Sequence, residues 1–410
     1  MTEFSRRRAL ISGGGLAALG ALVATSPAQA RSLVGWNWSP SRSVVGTGDG
    51  GDPHRVWDSE ADPLLEALFD RGVIGKVNEL LWNWERNDQS LPNGLPSDLR
   101  EFMEHARRLP EWADHDKLDR AAEFNKSRGS CLNVCNGLGG GLLATAIPKE
   151  ARAVYYSAGG ADMEDRVAKT SLFGFAVGSL DAYRPEGTCV VECVKTRLVH
   201  AAVRHLLPQS PHWAGRAAEE IPISQEDMLV TWHTLPTFAM RTMREWEVPI
   251  SDGDAEAYLH LWQVTAYLLG IADEYIPATW DAAYAQSDQI LARNMGPTPE
   301  GVKLTDILLG QLAEQTSPAS LSRPQCNAMA RYLIGDRVAD WDGIQREPLW
   351  DRVIPEAWTM LVKFREGLVP LPAVPEIAWT IDEAMRQYLL LHLTKGEETK
   401  IEIPTHNRPE

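Results

Sequence analysis

Apolar positions recur with a helical spacing along almost the whole chain and nothing alternates with period two for long, so the pattern predicts an all-α protein. Two adjoining stretches, residues 161–180 and 188–206, stand out. In the first, Arg166, Lys169, Thr170 and Phe173 fall at i, i+3, i+4 and i+7, which places three polar groups on one stripe of an otherwise apolar helix. That stripe must face something polar or metallic. Residues Tyr183 to Gly187 contain Pro185 and Gly187, both helix breakers, and the second helix begins after them. On it Cys193, Arg197, His200 and Arg204 share a face.

The rest of the chain reads as helix after helix. Asp62 and Pro63 open a long helix that runs to Trp84, with a capping Asp, Pro in the first turn and Leu64, Leu65, Leu68 and Phe69 as its apolar face; Gly72 bends or splits it. Residues 98–109 and 112–127 give amphipathic helices whose many charges are solvated faces. A segment beginning at Pro148 and helices over 224–248, 252–272, 279–295, 298–315, 323–334, 350–366 and 375–392 follow, with Ser224 and Asp227 as start signals and a kink at Pro236. Residues 32–53, rich in Trp, Ser, Gly and Pro, read as an extended arm. The polar tail after Lys395 reads as loosely held.

Composition and charge narrow the class. With 44% hydrophobic residues and 15 Trp among 410, and no linker tract, one large helical domain spanning residues 31–410 is the simplest organisation. A net charge of -16 disfavours nucleic acid and anionic membrane as partners. Residues 1–30 read as a cleaved export signal: Arg6, Arg7 and Arg8 resemble a twin-arginine motif, an apolar run reaches Ala24, and Ala28 to Ala30 supply small residues for cleavage. That run is too short for a comfortable membrane span. Cys131, Cys135, Cys189, Cys193 and Cys326 are odd in number, so at least one is unpaired within the chain, and their spacings fix no connectivity. The Gly-rich run 136–141 lacks the full G-x-G-x-x-G spacing and no strand precedes it, which favours a close helix contact over a phosphate loop.

A lone His on a helix is usually a hydrogen-bonded structural residue, and a Lys usually carries its ammonium to solvent. His200, however, has Arg197 and Arg204 about one turn to either side on a helix of Val, Leu and Ala. The combination suits a buried metal ligand beside an anionic cofactor. The runs Arg166 to Ser171 (RVAKTS) and Thr196 to His205 (TRLVHAAVRH), followed by Thr231 to His233 (TWH), resemble the latex clearing proteins, secreted b-type haem rubber oxygenases, and the similarity extends over nearly the whole mature chain. What the resemblance implies is a globin-like haem core with extra helices, in a monomer. It implies a non-covalent haem b with His200 as proximal ligand, Lys169 as distal ligand of a closed state, Arg166 and Thr170 at the haem edge and distal pocket, and Thr231 lining the pocket. Arg197 and Arg204 are candidates for the haem propionates or for structural pairing. Glu150, which by position alone is a first-turn glutamate favoured by the helix dipole, matches the family's catalytic base. The implied reaction is cleavage of the cis double bonds of poly(cis-1,4-isoprene) by O2, giving oligomers with one aldehyde and one ketone end. The competing readings are a haem oxygenase acting on another isoprenoid or unsaturated lipid, and a non-catalytic exported haem-binding protein. A di-iron bundle would need paired Glu-x-x-His motifs, and the sequence has none.

Overall fold

A computed structural model describes residues 35–160, 162–213, 221–313, 321–366 and 399–409, so the export signal expected over 1–30 and the helix expected over 375–392 lie outside the described residues. The helices are α1 (Ala61–Asp70), α2 (Ile74–Leu81), α3 (Ser97–Ala106), α4 (His115–Ser127), α5 (Gly129–Thr145), α6 (Pro148–Tyr156), α7 (Met163–Val177), α8 (Cys189–Leu206), α9 (Gln225–Trp232), α10 (Phe238–Glu245), α11 (Asp252–Leu268), α12 (Trp280–Asn294), α13 (Pro299–Ala313), α14 (Arg323–Ile334), α15 (Asp336–Trp341) and α16 (Trp350–Arg365). The fold is all-α: among the described residues there are only two isolated bridges, Ser43 with Pro277 and Ser157 with Asn407. No single described helix is long and apolar enough to cross a membrane.

Local chemistry sets most of these boundaries. The Asp114 side chain accepts from the backbone N–H groups of Asp116 and Lys117 at the start of α4, and Asp162 does the same for Asp165 at the start of α7. Ser224 and Asp227 cap α9 reciprocally. At α1 the expected cap is corrected. Asp62 lies inside the first turn, and it is Asp58 Oδ1 that accepts from the N–H groups of Glu60 and Ala61, at 3.2 and 3.0 Å. Gly72, at φ +66°, closes α1 with its N–H on the Phe69 carbonyl, so the long helix is split and α2 starts two residues later.

The helix α8 is the centre of the molecule. Val190 and Cys193 belong to the largest apolar cluster, Val191, Val194, Leu198 and Ala201 pack with α1, α2 and α3, and Val203 joins Tyr156 and Trp213 in a third cluster. A helix apolar on nearly every side has to be surrounded. The close contact expected at the glycine run is present. Residues 134–140 and 233–237 are π turns within longer helical runs, and a Cβ on Gly139 or Gly140 would lie 2.3 Å from the Phe238 ring or 2.6 Å from the Thr234 carbonyl oxygen. Pro236, which has no N–H to give, sits inside the second π turn.

Both ends of the described chain are docked. In the arm, the Trp38 indole N–H donates to the Glu274 carbonyl at 2.7 Å. The expectation of a loose tail is overturned for residues 399–409. Ile403 is buried and exchanges two hydrogen bonds with the Asn78 side chain, Lys400 Nζ donates to the Trp82 carbonyl at 2.8 Å, and the Arg408 guanidinium lies over the Tyr155 ring. A polar composition predicts solvent only where no complementary partner waits; here α2 and α6 supply one.

Candidate functional site

The elements that matter are α6, α7, α8 and α9. His200, on α8, is half-buried; its Nδ1 is enclosed without a hydrogen-bond partner. Burial first, then the positive Arg204 and Arg166, push its pKa down to about 3, with Asp58 opposing. The imidazole is therefore neutral at pH 7 and has a lone pair to give to a metal. Arg166, on α7, is set deep enough that burial lowers its pKa to about 10, and its Nη1 donates only to Ser157 Oγ, at 3.2 Å. No carboxylate among the described residues pairs with it. A guanidinium without a carboxylate partner, close enough to lower the His200 pKa, would be well matched by an anion beside it.

The other two sequence-named groups meet at a second point. Glu150 is in the first turn of α6, and Thr231 near the end of α9; Thr231 Oγ1 lies 2.9 Å from Glu150 Oε1 and 3.2 Å from the Asp227 carbonyl. Its single proton can go to only one of these oxygens at a time. Burial raises the Glu150 pKa to about 8; Asp227 adds to the effect, while the Thr231 hydrogen bond and Lys149 oppose it. The helix α6 joins the two points: Ser157, which holds Arg166, follows Glu150 by two turns, about 10 Å along the axis.

The sequence-named cofactor contacts are only partly gathered. Thr170 lies on the same face of α7 as Arg166 and is exposed. Lys169 Nζ is 2.8 Å from Asp165 Oδ2 on the same helix, so its ammonium is in an i,i+4 ion pair, and ligation of a metal would require that pair to break and a proton to leave. For Arg197 and Arg204, expected at the propionates or in structural pairing, the structure shows pairing with carboxylates. Arg197 grips Asp58 through Nε and Nη2 at 2.6 and 2.9 Å and reaches Glu60 at 2.8 Å, while Arg204 holds Asp62 at 2.7 Å and the Ile223 carbonyl at 3.1 Å. These bonds tie α8 to the start of α1 and, through Ile223, to the segment before α9. Structural pairing is what the geometry shows for Arg197 and Arg204, while Arg166 has no carboxylate partner among the described residues and can face an anionic group. Among the described residues no three His, Cys, Asp or Glu side chains gather as a metal cluster. What fits instead is a metal that brings most of its own ligands and an anionic edge, since this site offers a neutral His200 with a free nitrogen and the Arg166 guanidinium. Haem meets that description.

Residues 129–364 match the family model described as "ER-bound oxygenase mpaB/B'/Rubber oxygenase, catalytic domain". The chain belongs to the rubber oxygenase family. It is 57% identical over 410 residues, the full length of both chains, to the Rubber oxygenase of Streptomyces sp. (strain K30). Its fold matches a solved structure of Latex Clearing Protein LCP in the closed state with a TM-score of 0.82 at 57% identity, over 90% of this chain and 99% of that one. Like other chains built on the rubber oxygenase catalytic domain, this protein is an oxygenase, and α5 to α16, which carry every candidate side chain named above, fall almost wholly within the matched residues.

Sequence reasoning missed Lys149 and Asp227, which form an ion pair behind Glu150, with Nζ 2.8 Å from Oδ2. Asp227 was legible only as a helix-start residue. Nothing in the local pattern connects it to a lysine 78 positions earlier.

Proposed function

We propose that the chain is an exported haem b dioxygenase that cleaves the cis double bonds of poly(cis-1,4-isoprene) and leaves one aldehyde and one ketone end. The observation that carries the haem reading is the neutral, unpartnered His200 facing the same region as the unpaired Arg166. His200 would ligate the iron and Arg166 would take an anionic haem edge. The bound haem supplies the redox-active iron at which O2 is activated. The substrate is taken from the named activity of the 57% identical relative.

The chain's own residues then do the acid-base work. Glu150, held through Oε1 by Thr231, is the candidate base for an allylic proton of the polymer, and a pKa of about 8 makes its ionised fraction rise steeply through neutral and mildly alkaline pH. Lys169 is the candidate second protein ligand of a closed state, for which it would have to leave the Asp165 ion pair and lose a proton. A globin-like arrangement of the haem helices, a twin-arginine signal over residues 1–30, one domain over 31–410 and a monomeric secreted form belong to the same proposal.

Absorption spectra of the purified protein and of His200→Ala test it first. A haem Soret band in the parent that is lost or strongly weakened in the variant is expected, together with O2 uptake that depends on added polyisoprene. A parent protein with no Soret band after haem reconstitution would overturn the reading.

A further inference from the structure

We propose that the buried ion pair between Lys149 and Asp227 is a positioning pair for Glu150, fixing its carboxyl against Thr231 and setting the electrostatic field in which it gives up and takes its proton. The inference rests on the reading of Glu150 as the base. Lys149 is the residue before Glu150 on α6, and Asp227 is one turn before Thr231 on α9. The ion pair and the hydrogen bond from Thr231 to Glu150 are therefore two rungs tying the same pair of helices together, the first of them adjacent to Glu150 and one turn from Thr231.

The pair is itself tightly built. Both side chains are more than nine-tenths buried, Nζ is 2.8 Å from Oδ2, and Oδ2 also accepts from the Ser224 N–H at 2.9 Å. The Asp227 backbone carbonyl takes part too, as the alternative acceptor for Thr231 Oγ1. Two buried charges are a weak source of stability, because an apolar pair of the same shape would serve as well. Their charges do matter to Glu150. Lys149 from α6 and Asp227 from α9 are the charged groups that act on its carboxyl, in opposite senses, and Thr231 is its hydrogen-bond partner; Arg166 on α7 is turned to Ser157 and His200.

Opposite senses make the test specific. In the haem-loaded enzyme, the pH dependence of O2 uptake with polyisoprene is measured for the parent, Asp227→Asn, Lys149→Met and the double variant. Asp227→Asn keeps an acceptor for Ser224 but removes the anion, so the ascending limb should move to lower pH by about one unit, and rate at pH 7 relative to the plateau should rise roughly fivefold. Lys149→Met removes the cation and should move the limb the other way. The double variant and Lys149→Arg should both return it to near the parental position. A role confined to holding the helices together predicts lower rates with an unmoved limb, and that result, or shifts of the same sign in both single variants, overturns the proposal. The Soret band of each variant reports an intact haem site. Should a variant not fold, the carboxyl stretching band of Glu150, identified by its absence in Glu150→Gln, is titrated by infrared spectroscopy in the remaining one, with the same signs expected and an unmoved band overturning the proposal. If Glu150→Gln keeps the parental ascending limb, the base reading fails first, and is recognised as the cause.

Discussion

Replacing Glu150 by Gln should stabilise the protein above about pH 4.5, by a margin that grows up to about pH 8. The carboxyl has an ordinary pKa of 4.5 and burial raises it to about 8 in the folded chain. Below 4.5 it is protonated in both states and has no effect on the balance. Between 4.5 and about 8 the unfolded chain releases the proton while the folded chain holds it, so stability falls as pH rises, and above about 8 the loss is constant. The full interval corresponds to about 4.8 kcal/mol at 1.36 kcal/mol per pH unit, and water reaching the half-buried side chain reduces this to about 2–4 kcal/mol. Gln keeps an oxygen for Thr231 and never ionises. Urea unfolding of both proteins at a series of pH values, in the same haem state, gives the difference directly, because every other titrating group cancels. The variant and parent should be near equal at pH 4.5 and diverge to a plateau above pH 8, with the variant the more stable. Parallel curves across that range would refute the burial of an ionisable carboxyl at this site, and a parent favoured at high pH would refute its sign.

Asp58→Ala should destabilise the fold by about 3–5 kcal/mol in chemical denaturation, since it leaves Arg197 buried with only Glu60 to face and removes the cap of α1. The Asp58 pKa is lowered against the opposing effect of burial by its hydrogen bonds and charge pairing with Arg197; that stabilisation is present above the unfolded pKa and is lost as pH falls through the folded one, so the variant should also show a shallower acid limb. The five cysteines are all buried and free, and burial pushes Cys131 up to about 11 and raises Cys135 and Cys193 as well. Alkylation at pH 8 should therefore modify none of them in the native protein and all five after unfolding, as mass spectrometry would count; rapid modification of any native thiol would contradict the packing of α5, α8 or α14.

Helices α8, α12 and α14 begin and end within a residue of where periodicity and capping place them, and the glycine run meets a neighbouring helix as its lack of side chains demands. These are outcomes of forces between residues a few positions apart, so the sequence by itself determined them, along with the all-α class and the isolation of His200 on an apolar helix. The resemblance of short motifs further marked Arg166, Glu150 and Thr231. What only the tertiary structure decided is how charges far apart in the chain are matched. Arg197 and Arg204 read equally well as cofactor contacts until Asp58, Glu60 and Asp62, more than 130 positions earlier, are found on them. The polar tail reads as loose until Asn78 and Trp82 are found beneath it. The 8-ward shift of Glu150 likewise requires α6 and α9 to close around one carboxyl, bringing Thr231 and Asp227 to it. A side chain's partners and its dielectric surroundings depend on which helices are packed together, and local periodicity carries no record of that choice.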